Sequence, residues 1–400
     1  MRAVAILAGL LLVGAASPVP PQRTAAPPPA TDVMLARDTD TRWVPFELTP
    51  GNQLRFDLEI DGRRASAILD TGVSYTVASR AFAGAAGLTP ASGRQRADAV
   101  GGAVPIGWAA IERIGFGGLT RTGGRVAIVD LKAIATGSAA PVDLLVGSDI
   151  LSCCALDIDF DAGRFRLLPS GRLPFPGASA PLSLSPQSRV FVSEATIAGR
   201  RVRPLIVDTG DGAALTLSRG AWNAVGVKPA GLTSAVAFGL GGTIRTDMTI
   251  LPTLAVGAQP MREIELRIEP KAGFSDQTST AGRIGSGLLQ RYRVLMDPRA
   301  GHMVFAPGTR AAAPPIRSTS GLLVGYDTGR LRVLHVMRGS PAAAAGWQDG
   351  EQICTVDDVP VPTIADGSVD TAWSAGEPGR VIRFGMCDGA TRTLTLRRFY

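Results

Sequence analysis

The strongest constraint on this chain is that it repeats itself. Ala67-Ile68-Leu69-Asp70-Thr71-Gly72 returns as Leu205-Ile206-Val207-Asp208-Thr209-Gly210, displaced by 138 positions. The same displacement carries Gly147-Ser148 onto Gly285-Ser286, Asp159 onto Asp297 and Gly163 onto Gly301. Gly101-Gly102 finds its counterpart in Gly241-Gly242 at a shift of 140, so small insertions compensate between the anchors. A shift this constant over a long stretch marks a duplication, and each copy must fold into the same kind of unit.

Each copy reads as short strands. Phe56 to Ile60 alternates apolar and polar residues, Asp61-Gly62 marks a turn, and Ala65 to Leu69 runs into the Asp-Thr-Gly. The second copy offers Phe191 to Ile197, a turn at Ala198-Gly199, and Val202 to Val207. Each then has an apolar pair before glycine, at Leu145-Val146-Gly147 and Arg283-Ile284-Gly285, a short helix, and a hairpin. The closing hairpins are Leu156–Phe160 with Phe165–Leu168, and Val294–Met296 with Met303–Phe305. With 48 Gly and 29 Pro among 400 residues and few helix-period stretches, a mainly β fold is expected.

The ends differ from the repeat. Arg2, the apolar run Ala3 to Ala15 and Gly14-Ala15-Ala16 form an export signal with a small-residue cleavage point, too short to span a bilayer. Residues 1–16 are therefore assigned as signal peptide and 17–42 as a Pro/Ala-rich leader. No later run has the length of a membrane helix, so no membrane span is expected in the mature chain, which would be periplasmic or secreted. Thr309 to Pro315 reads as a linker. Beyond it lie a short apolar run from Gly321 to Val324 and an alternating strand from Leu331 to Val336. A turn, a helix opened by Pro341 and a stop at Gly346 follow.

Several functions are disfavoured. The net charge of +7 comes from scattered arginines, with lysine only at 132, 228 and 271, and the densest runs are Arg200 to Arg203 and Arg397-Arg398. That is not the aromatic-interleaved stripe of a nucleic-acid surface, so no nucleic acid partner is expected. The four cysteines lack metal-site spacing, and His302 and His335 are the only histidines, so no metal and no organic cofactor are expected. Cys354 and Cys387 sit in strand-like segments and suit a bridge after export. Cys153 and Cys154 are adjacent, where a bridge is strained, and are expected as buried thiols. No Gly-x-Ser-x-Gly elbow occurs, and neither histidine is placed to serve a serine nucleophile.

The repeated Asp-Thr-Gly has a specific use. Two such segments facing each other bring two carboxylates together, and since both cannot ionise they share a proton. One then acts as base on a water and the other as acid toward a peptide carbonyl. Glycine lets the backbones approach, and threonine supplies a hydroxyl that bonds across the gap. On Asp70-Thr71-Gly72 and Asp208-Thr209-Gly210, each after three apolar residues and each followed by a later apolar-Gly segment, residues 43–307 resemble the pepsin/retropepsin superfamily. The resemblance implies two pseudo-symmetric β lobes, 43–170 and 171–307. Asp70 and Asp208 would be the catalytic pair, supported by Thr71, Gly72, Thr209 and Gly210, beneath flaps tipped by Gly101, Gly102, Gly241 and Gly242. It implies an aspartic endopeptidase acting on a peptide or unfolded protein segment, with both lobes in one chain and hence a monomer. Val73 and Ser74 suit the pattern, but Asp211-Gly212 departs from it. A carboxylate there raises the pair's pKa or marks a changed role. The flap also lacks the tyrosine familiar in pepsins; Trp108 lies nearby, where core packing explains it as well as any function does.

The tail, 316–400 after a linker at 308–315, resembles a bacterial PDZ domain, a small α+β fold. The resemblance rests on Gly339-Ser340-Pro341-Ala342, Ala345-Gly346-Trp347, Asp349-Gly350-Glu351 and Ile353 to Asp358. It implies capture of C-terminal peptides, with Leu322, Leu323, Val324 and Gly325 as the carboxylate-binding loop or, equally, an ordinary first strand. The alternative to an enzyme is a catalytically inactive exported protein that binds peptides in the same cleft and groove.

Overall fold

The computed structural model describes residues 32–132, 140–363 and 371–400, so the assigned signal peptide and most of the leader lie outside the described residues. The fold is mainly β, in several sheets. Strands Leu54–Ile60 and Arg63–Leu69 pair as a hairpin, with Asp61 and Gly62 both at positive φ (48° and 74°). Phe191–Ile197 and Arg200–Asp208 repeat it, with Ala198 and Gly199 at 49° and 76°. Two consecutive positive φ angles give the turn whose twist suits a hairpin, and the Asp-Gly and Ala-Gly pairs supply them.

After each Asp-Thr-Gly come a short strand and a helix that the sequence pattern did not suggest. Ser79 caps helix Arg80–Ala86 by accepting from Phe82 N, and Gly87 ends it at φ 74°. Ser218 caps Arg219–Val225 through Ala221 N, and Gly226 ends that one at φ 72°. Serine before and glycine after is a readable signal, but each helix is only two turns long and too rich in small residues to show a periodic stripe. Strand Leu144–Val146 then runs parallel to Arg63–Leu69, pairing Val146 with Leu69. Strand Gly282–Gly285 likewise runs parallel to Arg200–Asp208, pairing Gly285 with Asp208. Each Asp-Thr-Gly thus leaves the end of a strand that is buried in mid-sheet.

The two halves are welded by a six-stranded sheet drawn from both. Ala155–Asp159 pairs antiparallel with Tyr292–Asp297, placing Ile158 opposite Val294 and Leu156 opposite Met296. The core runs without a break from one half to the other: Phe165, Leu156, Val294 and Phe305 are fully buried in one apolar cluster. Inside this sheet Asp157 is completely buried and accepts hydrogen bonds from Arg166 Nε (2.9 Å), Arg293 Nε (3.0 Å) and Arg293 Nη2 (2.8 Å).

At the described end of the leader, Asp32–Leu35 alternates outward and inward and adds as a strand to Leu119–Thr122. One expectation needs correction. Cys153 and Cys154 are paired with each other rather than standing as separate thiols. They occupy the tight turn between helix Ser148–Leu151 and strand Ala155–Asp159, where the reversing chain draws both side chains together. Cys354 and Cys387 are bridged.

Among the described residues, strands between Leu322 and Pro360 and between Val381 and Thr395 form a separate six-stranded sheet around Trp347, Trp373 and Phe384, with a short helix Pro341–Ala344 capped by Ser340. This C-terminal sheet leans on the second half. Arg338 Nη2 bonds Asp247 Oδ1 (2.9 Å), His335 Nε2 meets Ser234 Oγ (2.8 Å), and Arg245 pairs with Asp349 (2.5 Å). Met337 packs with Ala235 and Met248 beneath those polar contacts.

Removing Asp157 leaves two guanidinium groups facing each other at the sheet that joins the halves. Asp157→Ala should lower unfolding stability by about 3 kcal/mol in denaturant titration. Asp38→Ala, which breaks the exposed pair with Arg42, should change it little.

Candidate active site

The two Asp-Thr-Gly segments meet where the halves abut. Thr71 Oγ1 donates to the carbonyl of Val207 (2.6 Å) and accepts from Thr209 N (3.1 Å). Thr209 Oγ1 donates to the carbonyl of Leu69 (2.6 Å) and accepts from Thr71 N (3.1 Å). Both threonines are completely buried, so these four bonds replace water for two hydroxyls and four backbone groups at once. Ser286 Oγ adds a bond to the carbonyl of Thr209 (2.7 Å).

This lock sets the carboxyl groups. Gly72 N donates to Asp70 Oδ1 (3.0 Å), while Gly210 N (3.0 Å) and Asp211 N (3.1 Å) both donate to Asp208 Oδ1. Each carboxyl leans over the other segment's glycine. A Cβ on Gly72 would collide with the Asp208 carboxyl, and one on Gly210 with that of Asp70. Only glycine permits that approach. The expected pair, Asp70 and Asp208, is therefore brought together with Thr71, Gly72, Thr209 and Gly210 around it.

Electrostatics follow from the geometry. Burial, and next the neighbouring Asp208 charge, push the Asp70 carboxyl well above the usual carboxylate range. Burial, and next the charge of Asp211, push Asp208 up to about 6. Asp211 is itself pushed up by burial, but the Arg283 guanidinium 2.9 Å away overcomes this and holds it below the usual range. The charge of Asp211 thus raises its neighbour. Gly212 is required by packing, since a Cβ there would run into the carbonyl of Gly51.

The four expected flap glycines also converge. Gly101 and Gly102 tip the hairpin of Ala91–Ala97 and Val104–Ala110; Gly241 and Gly242 tip that of Thr233–Gly239 and Gly242–Val256. The tips touch, with Gly241 N donating to the carbonyl of Val100 (2.9 Å), and a Cβ on Gly101 or Gly241 would strike the opposite backbone. Leu240 reaches from the second tip onto an apolar cluster of the first half that includes Ile68, Val77 and Val104. Trp108 stacks edge-on against Tyr75 (centroids 5.1 Å apart), with Arg125 over its face and its Nε1 donating to Gln95 Oε1 (2.7 Å).

Sequence reasoning missed the braces behind the loops. In the first half Asp149 Oδ1 accepts from Thr76 N and Oγ1 (both 2.8 Å), and its Oδ2 pairs with Arg121 (2.8 Å). In the second half Arg283 bridges Asp211 and Glu269. Leu322 to Gly325 lie apart from this centre, at the start of strand Leu322–Asp327 rather than in a loop. Among the described residues no group of three or more His, Cys, Asp or Glu is placed to hold a metal ion.

A carboxyl titrating at about 6 in the folded protein against 3.8 ordinarily holds its proton more tightly when folded. Its contribution to stability is full below about 3.8 and is lost as pH rises through about 6. Asp208→Asn should therefore melt higher than the unaltered protein at about pH 8 and show little gain at about pH 4, read by thermal unfolding. Thr71→Val with Thr209→Val should lower the melting temperature at every pH, because buried backbone groups lose their partners.

No curated protein matches this chain. Residues 56–150, which carry Asp70-Thr71-Gly72 and the hairpin tipped by Gly101 and Gly102, match the family model described as aspartyl protease. The match supports an aspartic peptidase family, and with it a protein-cleaving hydrolase.

Proposed function

We propose that the chain is an aspartic endopeptidase of two retropepsin-like lobes, 43–170 and 171–307, in which Asp70 and Asp208 together activate a water. The observation that carries this reading is the crossed Thr71–Thr209 bonding, which holds two carboxyl groups from equivalent positions face to face beneath two flaps. With one proton on the pair, the ionised carboxylate takes a proton from water as its oxygen attacks the peptide carbonyl carbon. The protonated carboxyl gives its proton to the carbonyl oxygen, forming a tetrahedral diol. A proton then passes to the amide nitrogen, the C–N bond breaks, and a free carboxyl and amine leave. The substrate is an extended peptide or unfolded segment, because only an extended chain lies flat between the pair and the flap strands. The protein acts as a monomer outside the cytoplasm, with residues 1–16 as export signal; no described helix is long and apolar enough to cross a membrane.

Residues 316–400 complete the proposal as a PDZ-like peptide-binding domain. Among the described residues, strand Leu322–Asp327 pairs on one side only, with Arg330–Val336, leaving an edge for a peptide to join as a further strand. The contacts of His335, Arg338 and Asp349 with the second flap hairpin support a role for this domain in recruiting or gating substrate.

Incubation of the mature protein with a diverse peptide pool, read by mass spectrometry, tests the reading. Cleavage should fall about a thousandfold or more in both Asp70→Asn and Asp208→Asn. It should also fade as pH drops through about 6, where Asp208 gains a proton beside an Asp70 carboxyl held well above the usual range, and the pair loses its base. A folded protein that cuts nothing at any pH would favour the inactive peptide-binding alternative. For the tail, peptides with a free C-terminus should bind the Asp70→Asn protein about tenfold more tightly than their amides by fluorescence anisotropy. Equal binding would remove the PDZ-like assignment.

A further inference from the structure

Val73, Val129 and Leu145 belong to one apolar cluster of the first half. A shift of 138 carries Val73 and Leu145 onto Asp211 and Arg283, and, counted from the capping serines Ser79 and Ser218, the parallel pairings Ala78–Ile128 and Leu217–Ile268 make Val129 the counterpart of Glu269. In the second half the three are ions in contact: Arg283 Nε bonds Asp211 Oδ2 (2.9 Å) and its Nη1 bonds Glu269 Oε1 (2.8 Å). Arg283 is 2% exposed and Glu269 0%. The remaining carboxylate oxygens are occupied as well, with Ala213 N on Asp211 Oδ1 (2.9 Å) and Ser275 N on Glu269 Oε2 (2.9 Å). Three members of one apolar cluster have thus given way, as a set, to one arginine paired with two carboxylates.

A buried ion triad is no more stabilising than the apolar set it replaces, so stability does not account for the exchange. What the triad adds is charge: two carboxylates against one guanidinium leave a net negative charge fixed beside Asp208. The charged groups acting on Asp208 are Asp70 across the gap and Asp211 and Arg283 on its own side. Behind them lie Glu269 and Arg267, the latter paired with Glu265 (3.0 Å). Asp211 is the nearest of the fixed carboxylates in sequence, and its own N–H is bonded to Asp208.

Resting on the reading of Asp70 and Asp208 as the reacting pair, we propose that Asp211, Arg283 and Glu269 are positioning residues that set the pH at which the pair works. Arg283 pins the Asp211 carboxylate in its charged form, and that charge opposes the ionisation of Asp208. The state holding a single proton, which the hydrolysis requires, then occupies neutral rather than acid pH. The first half carries no such device, so the bias acts from one side of the pair only.

The test is the triple variant Asp211→Val, Glu269→Val, Arg283→Leu, which rebuilds the apolar set of the first half. Asp211→Asn serves as a second variant should the triple fail to fold. Thermal unfolding is followed across pH for the unaltered protein and each variant, with and without Asp208→Asn. The part of the pH dependence abolished by Asp208→Asn should move down by about one pH unit in the variants. The acid limb of kcat/KM should move with it. A loss of structure alone would lower stability at every pH and leave that inflection in place, and an unmoved inflection in both variants overturns the proposal. Cleavage with an unmoved inflection would overturn the triad's role alone. A displaced inflection without cleavage at any pH would instead overturn the peptidase reading and leave the action of the triad on the carboxyl pair standing.

Discussion

The rest of the site depends on two threonine hydroxyls buried at the junction of the halves. Each spends its proton on the partner segment's backbone carbonyl and its lone pair on the partner's N–H, so neither segment's polar groups are satisfied without the other. The carboxyl groups one residue before them inherit that geometry. Their closeness is imposed against their mutual repulsion, and a site held this way keeps a proton that free carboxylates would lose. The shared sheet below, with Asp157 clamped between Arg166 and Arg293, resists the separation that repulsion favours.

Pseudo-symmetry holds for the main chain but not for what stands behind each loop. The first loop is steadied from outside by Asp149, which gathers Thr76 and Arg121, and its inner wall is apolar. In the second, Gly287 and Leu215 occupy the positions of Asp149 and Thr76, and the ionic brace has moved to Asp211, Arg283 and Glu269. A duplicated unit can diverge in this way because a loop needs bracing from some direction, not from a particular one. The two solutions have different electrostatic consequences for the carboxylate they flank.

The sequence announced whatever is local or exactly repeated. Asp70 and Asp208, their threonines and glycines, the Asp61-Gly62 and Ala198-Gly199 turns and the glycine tips were legible because each has a chemical reason within a few residues. The helices at Arg80–Ala86 and Arg219–Val225 were not, since their caps are clear but their apolar stripes are too short to register. The pairing of Ala155–Asp159 with Tyr292–Asp297 joins strands far apart in the chain, and apolar alternation gives neither strand its partner. Asp211 was visible as an odd residue, yet its meaning lay with Arg283 and Glu269, which only the folded sheet brings alongside. The adjacent cysteines were misjudged because the turn that draws them together cannot be read from their spacing.

Where the flap tips meet, the seam is main chain against main chain, closed by glycines that leave no room for a side chain. Parting it bares N–H and C=O groups, together with the Leu240 side chain that reaches across the seam. Such groups are satisfied by any polypeptide whose own backbone is unengaged, and by none whose backbone is already tied up in a helix or sheet. Under the proposed peptidase reading, the roof of the cleft would favour chains by their lack of structure and leave discrimination between residues largely to the walls.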